Sequence, residues 1–184
     1  DRSGVIDGKG DILWGDRLLT RLSRELLQVR PGAAVLGEVK CSQTLYDDIA
    51  AHGGRPILWK TGHSLIKTKM AEEGALLAGE MSGHIFFADR YFGFDDAVYV
   101  AARLLEILSQ DRVPLHDRLA DVPETHVTPE LRVPCPDDEK FPVVAASQRP
   151  PPQAHAVVPV DSARLLFSDS SRSQATPSSP LPLP

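Results

Sequence analysis

The stretch Ala34-Val35-Leu36-Gly37-Glu38-Val39, followed by Leu45 to His52 with a Gly53-Gly54 stop and then by Ile57-Leu58-Trp59, decides how this chain reads. A β-rich apolar run, a short helix closed by glycines and a second apolar run form the unit from which a sheet layered with helices is built. The same pattern extends in both directions. Upstream, Gly4-Val5-Ile6 and Ile12-Leu13-Trp14 flank the turn Asp7-Gly8-Lys9-Gly10 and predict two short strands. Leu18, Leu22, Leu26 and Val29 then recur at helical spacing after Asp16, a candidate N-cap, until Pro31-Gly32 ends the run. Downstream, a helix is expected from about Ser64 to Glu73, and strands at Leu76-Leu77-Ala78 and His84 to Phe87. The clearest helix is expected over Asp95 to Gln110, with Val98, Ala101, Ala102, Leu105 and Leu108 on one apolar face. The first 110 residues therefore predict an α/β domain.

Beyond Gln110 the character changes. A connector punctuated by proline runs from Arg112 to Pro136, and half of the 16 prolines lie between Pro150 and Pro184. Few residues there repeat at a core-forming period, so the last thirty or so are expected to be mostly irregular.

Of the 184 residues 42% are apolar, enough for a core in part of the chain, and the net charge of −5 is spread among interleaved acids and bases. No basic stripe suits a nucleic-acid backbone, so nucleic acid is not an expected partner. No apolar run approaches the ~20 residues that span a bilayer, and the start shows no signal peptide, so a cytoplasmic protein without membrane contacts is expected. Cys41 and Cys135 are far apart and outside any CxxC spacing, which predicts two free thiols. The polar start Asp1-Arg2-Ser3-Gly4, without Met, is expected to belong to something longer.

Two strings carry candidate chemistry. In Gly79-Glu80-Met81-Ser82-Gly83-His84 a carboxylate, a hydroxyl and an imidazole are spaced by glycines, where a strand ends and the next begins. Such a turn can bracket a polyol, with Glu80 accepting from two neighbouring hydroxyls; it can equally be a solvated turn with a capping Ser. In Trp59-Lys60-Thr61-Gly62-His63-Ser64 a strand leads into a helix whose first N–H groups favour an anion, with Lys60, His63 and Lys67 near it. The alternative is that Ser64 caps the helix and the lysines are solvated. Lys40 follows a strand, at the end where α/β sheets collect ligand groups.

These residues, with Val39-Lys40-Cys41 and Arg90-Tyr91-Phe92-Gly93-Phe94-Asp95-Asp96, resemble the phosphomannomutase/phosphoglucomutase branch of the α-D-phosphohexomutases. Thr128-Pro129-Glu130 and Lys140-Phe141 also fit. Met81 stands where the related phosphoglucosamine mutases usually carry Gln, which favours mannose and glucose phosphates.

The resemblance implies a third domain of a four-domain enzyme, a mixed sheet with flanking helices. Residues 1–9 would end the metal-loop domain 2, 10–110 form the sugar-recognition domain 3, 111–144 a connector and the start of domain 4, and 145–184 a degenerate, largely irregular remnant of domain 4. It also implies a phosphoserine and a magnesium loop of three aspartates followed by Arg, with Asp1 as the last metal ligand and Arg2 as that Arg. Glu80 and Ser82 would grip two sugar hydroxyls, and Lys40, His63 and His84 would line the same cleft, binding substrate and, with Arg2, serving the chemistry. The reaction would interconvert hexose 1-phosphate and hexose 6-phosphate through a bisphosphate, glucose 1,6-bisphosphate acting as the activating intermediate. The partners implied are hexose phosphates and the enzyme's own N-terminal domains.

The chain departs from the family at its end. Asp161-Ser162-Ala163-Arg164-Leu165-Leu166 echoes a strand of the fourth domain, but no phosphate-binding Arg-x-Ser-Asn-Thr-x-Pro loop follows it. Pro150-Pro151-Pro152 falls where a helix should run. Two readings therefore compete: part of a phosphohexomutase that binds sugar but is inactive alone, or a non-catalytic sugar-phosphate binding or interaction module.

Overall fold

Neighbouring residues of a strand face opposite sides of a sheet, and three strands of this protein use that rule to bury both faces. On one face Val35, Leu77, Ile85 and Phe87 join the larger core cluster; on the other Ala34, Leu36, Ala78 and Phe86 join a second. The computed structural model describes residues 1–125, 134–147, 154–159, 163–167 and 172–175. They fall into two compact units, Asp1–Thr125 and His126–Pro184.

The first unit opens with a two-stranded antiparallel ribbon, β1 (Val5–Ile6) and β2 (Ile12–Leu13), and continues into α1 (Gly15–Val29). Then come β3 (Ala34–Glu38), α2 (Gln43–Ala51), β4 (Arg55–Trp59) and α3 (His63–Glu73). β5 (Leu77–Gly79), β6 (Ile85–Phe87), β7 (Phe94–Asp95) and α4 (Ala97–Ser109) complete it, with a 3₁₀ turn over Leu115–Leu119. The main sheet has the order β4-β3-β5-β6-β7; β3 runs parallel to β4 and β5, and β6 and β7 are antiparallel additions. Ile66 and Met70 of α3 cover one face, while α1, α2 and α4 cover the other through Leu18, Leu22, Leu26, Leu45, Ile49, Val100 and Leu104. This is the expected mixed sheet with flanking helices. Among the described residues no helix is long and apolar enough to cross a membrane.

Local details differ from the reading of the sequence, each for an identifiable reason. Asp16 is not the N-cap of α1: Trp14 holds that position, and the Asp16 carboxylate is buried, accepting from the Ser42 backbone N–H at 2.9 Å. Ser64 does not cap α3, whose N-cap is Gly62. Val29 is exposed at the end of α1. On α4 the buried stripe is Val100, Arg103, Leu104 and Ile107, while Val98 and Leu105 are 79% and 65% exposed. The reason is Arg103. Its guanidinium lies 4.5 Å over the Phe87 ring and donates to the Asp89 carbonyl and carboxylate, so a charged residue occupies the inner face.

The first unit also runs past the expected boundary at residue 110. Leu115, Leu119 and Val122 are buried, Arg17 donates to the Leu119 carbonyl, and Arg24 bridges Asp48 of α2 to Asp121. The second unit contains α5 (Lys140–Ser147) and a three-stranded antiparallel sheet of β8 (Ala154–Pro159), β9 (Ala163–Phe167) and β10 (Arg172–Ala175). These strands stand where irregular chain was expected. Val157-Val158 and Leu165-Leu166-Phe167 supply β-forming residues, and Pro159 sits at the last position of its strand, where proline is tolerated. Arg164, in the strand expected near Asp161 to Leu166, is fully buried. Thr128-Pro129-Glu130, Pro150-Pro151-Pro152 and the segment after Ala175 lie outside the described residues. Both cysteines are free thiols, Cys41 buried and Cys135 exposed.

The face that α4 buries is directly testable. Leu104→Ala should lower unfolding stability by about 2–5 kcal/mol and Leu105→Ala by no more than ~0.5 kcal/mol, measured by urea denaturation; equal losses would mean that both stripes are packed.

Candidate functional site

Parallel strands deliver their connecting loops to one edge of a sheet, and β3, β4 and β5 do so here in register, with Glu38 opposite Trp59 and Gly37 opposite Gly79. The next residues along each strand therefore meet at that edge: Lys40 after β3, Lys60 to His63 after β4, and Glu80 to His84 after β5. Both candidate strings and the strand-end lysine are brought to one place, though from three separate segments.

Glu80 is the best-held group of the cluster. It is 5% exposed, its Oε1 accepts from the Gly62 N–H at 2.9 Å and its Oε2 from the exposed Ser82 hydroxyl at 3.0 Å. Each oxygen keeps a further lone pair for a ligand hydroxyl. Glu80 N–H donates to the His84 carbonyl and Gly83 N–H to the Glu80 carbonyl, closing the turn. Two glycines permit it. Gly83 has φ of +90°, and a Cβ there would sit 2.5 Å from the Ser3 carbonyl oxygen; a Cβ on Gly15 would run into the Glu80 carbonyl oxygen and lie 2.8 Å from that of Met81.

Glu38 belongs to the site and was not picked out from the sequence. It is 1% exposed, and its Oε1 accepts from the Met81 N–H at 2.8 Å. Burial pushes its carboxyl above the usual range; the Thr61 hydroxyl opposes this, the Glu80 carboxylate pushes it higher, and Met81 N–H and Lys40 pull it back. The available signal was a lone acid inside the apolar run Val35 to Val39, which calls for a partner.

His84 anchors a second group. Arg2 Nε donates to His84 Nε2 at 3.1 Å, which makes Nε2 the acceptor and assigns the ring proton to Nδ1, 2.8 Å from Asp95 Oδ2. The Asp1 backbone nitrogen also lies 2.8 Å from Asp95 Oδ2, and the His63 ring stacks on His84 at 6.1 Å between centroids. Burial raises the Asp95 carboxyl and the hydrogen bond from His84 lowers it. Arg2, His63 and His84 are thus together, Glu80 and Ser82 are together with Gly62, and Lys40 is tied to them through its charge on Glu38. Among the described residues no three His, Cys, Asp or Glu side chains converge as a metal site, so Asp1 would need ligands from elsewhere to hold magnesium. Two clefts, of about 400 Å³ beside Arg30, Asp89 and Arg103 and about 280 Å³ beside Met70 and Phe92, lie away from this edge.

Residues 14–126 match the family model of the phosphoglucomutase/phosphomannomutase alpha/beta/alpha domain III. The chain is 50% identical over 149 residues to a phosphomannomutase/phosphoglucomutase of Pseudomonas aeruginosa, covering 81% of this chain and 32% of that protein. It is 48% identical over 137 residues to a phosphoglucomutase of Neisseria meningitidis, covering 74% of this chain and 30% of that protein. The chain therefore spans about a third of the length of these relatives. Among solved structures, a phosphoglucomutase/phosphomannomutase family protein from Burkholderia thailandensis superposes with a TM-score of 0.81 at 38% identity, over 95% of this chain and 40% of that one.

Two predictions follow from the geometry. Gly15→Ala should cost stability, by about 1–3 kcal/mol, despite the gain in helix propensity, because backbone rather than a side chain blocks the new methyl; an unchanged thermal midpoint would show that the loop yields freely. The hydrogen bond from His84 favours the charged form of Asp95, so that contribution is present above the ordinary carboxylate value of 3.8 and is lost as pH falls below it. The stability difference between the native chain and Asp95→Asn, followed by denaturation at a series of pH values, should shrink over that window.

Proposed function

The chain belongs to the phosphoglucomutase/phosphomannomutase family, and on that premise we propose that it is the sugar-recognising part of a phosphohexomutase. The reaction is an isomerisation: phosphoryl passes from a phosphoserine to one end of a mannose or glucose phosphate, and a bisphosphate such as glucose 1,6-bisphosphate returns phosphoryl from the other end. The observation that carries this reading is the Glu80 carboxylate at the carboxyl edge of the parallel strands, held by Gly62 N–H and Ser82 Oγ.

A carboxylate that grips an adjacent hydroxyl pair suits a substrate that must be read in two opposed orientations, because the pair is nearly superposable on itself after the turn. Ser82 shares that pair. Lys40 and His63 supply positive charge and donors toward phosphate oxygens. His84, oriented by Asp95, is the candidate proton acceptor: its Nε2 can take a proton from a sugar hydroxyl once Arg2 gives way to substrate, and Arg2 then faces the charge developing on the transferring oxygens. Asp1 would contribute one carboxylate to magnesium, which when bound neutralises phosphoryl charge; this chain's residues do not complete that site and no step is derived through it. The serine would likewise come from outside the chain, so the 184 residues bind hexose phosphates and do not turn them over. The competing reading, a non-catalytic sugar-phosphate binding module, uses the same clamp. It is favoured if the chain restores no mutase activity to polypeptides carrying the serine and metal loops.

Glu80→Gln should weaken binding of glucose 1-phosphate by roughly 10- to 100-fold, the equivalent of losing one charge-assisted hydrogen bond of ~1.5–3 kcal/mol, with little change in the denaturation midpoint. Calorimetry on the purified chain checks this; undiminished affinity would remove Glu80 as the clamp.

A further inference from the structure

Two acids stand level at the same strand edge, and only one of them is aimed at a ligand. We infer that Glu38 is a positioning residue for the clamp: by accepting the Met81 N–H it fixes the turn in which Glu80 and Ser82 face a hexose hydroxyl pair. This rests on the clamp reading given above.

The geometry is local. Glu38 ends β3, and the parallel register that sets Gly37 against Gly79 places Glu38 beside Glu80. Its Oε1 accepts from the N–H of Met81, the residue between Glu80 and Ser82, at 2.8 Å. Glu38 cannot swing away. Its carbonyl accepts from the Tyr46 hydroxyl at 2.6 Å and from the Cys41 N–H at 2.9 Å, and its side chain is almost wholly enclosed. Without the Glu38 oxygen the part-buried Met81 N–H would lose its acceptor, which a short turn relieves only by moving. The bond needs an acceptor oxygen of the right length and does not need a charge. Burial and the neighbouring Glu80 both favour the uncharged form of Glu38, and an uncharged carboxyl still offers the acceptor oxygen that the Met81 N–H needs.

The test compares two variants of the same length as Glu38, Glu38→Gln, which keeps the acceptor oxygen, and Glu38→Met, which removes it. Hydrogen exchange is read at the Met81 amide, with the Cys41 amide, bonded to the Glu38 carbonyl, as the control for the strand end. Glucose 1-phosphate affinity is measured in parallel. We expect Glu38→Met to lose Met81 protection and about tenfold in affinity while Cys41 stays protected, and Glu38→Gln to keep both within about threefold. Met81 protection unchanged in Glu38→Met, or lost in Glu38→Gln, overturns the inference. Should Glu38→Met fail to fold, Glu38→Gln alone decides, since loss of either readout there refutes it. The two readings separate cleanly. If the native chain binds no glucose 1-phosphate but Met81 still depends on Glu38, the clamp reading falls and the positioning role stands; if Glu80→Gln abolishes binding and Glu38→Met binds normally, the reverse holds.

Discussion

The seam between β3 and β5 is the constraint on which the rest depends. Both strands are buried on both faces, so their polar backbone can be satisfied only by each other and by their outer neighbours, and the register is fixed. That register puts Gly37 against Gly79, and both are places where a side chain has no room. A Cβ on Gly37 would meet the Tyr46 hydroxyl at 2.8 Å, and one on Gly79 would meet Ile85 and Leu19. The next residue on each strand is an acid. Two carboxylates side by side at the end of a closed sheet would repel each other if both were charged; both are buried here, Glu38 accepting from Met81 N–H and Glu80 from Gly62 N–H and the Ser82 hydroxyl. The chemistry of the edge is thus a consequence of how the core closes.

Much of this was legible in the sequence, and the failures share a cause. β3, β4, α2 and the loops around Glu80 and His63 follow from apolar runs, glycine stops and turn chemistry, all of which are local signals. What escaped depends on partners distant in sequence. Nothing near Arg103 in sequence announces Phe87 and Asp89 as its partners, so the apolar periodicity of Val98, Ala101, Ala102, Leu105 and Leu108 points to a different face of α4 from the one that is buried. Asp16 looked like a cap until Ser42 was found to be its donor. Glu38 carries no local signal of its role, because the N–H it accepts from belongs to Met81, 43 residues on. β7 is only two residues long and pairs with β6 as an edge, too short for a periodicity to show. In the tail, proline content masked the β-forming pairs of β8 and β9, because composition counts prolines and does not weigh where they fall.

Charge organises the first unit's outer layer in the same way. Arg24, largely enclosed between Asp48 and Asp121, ties α1 to α2 and to the segment after the 3₁₀ turn. Its value lies in geometry more than in Coulomb energy, since an Arg fork shared by two carboxylates fixes three segments at once, whereas exposed pairs such as Arg90–Glu106 contribute little. The match to the domain III family model ends at residue 126, one residue beyond the first compact unit. The segment after α4 therefore lies within both the domain III match and the first compact unit.

The two halves of the candidate site differ in what holds them. Every hydrogen bond described on the Glu80 carboxylate comes from Gly62 and Ser82, and Met81 N–H donates to Glu38, so the side-chain bonds around Glu80 all lie within residues 38 to 84 at the edge of a buried sheet. His84 instead takes its partners from Arg2, ahead of a two-strand ribbon, and from Asp95 in an edge strand. A two-stranded ribbon is marginal by itself, and here Ser3 N–H is fastened to the Gly83 carbonyl at 2.8 Å. Gly83 is thereby the joint. Its N–H belongs to the clamp, through the Glu80 carbonyl, and its carbonyl belongs to the segment that carries Arg2. A residue with a side chain at that position would have to displace one partner or the other, because a Cβ would lie 2.5 Å from the Ser3 oxygen. The turn that carries Glu80 and the segment that carries Arg2 are therefore coupled through the backbone of one glycine, and a change that loosens the ribbon reaches that turn by this route.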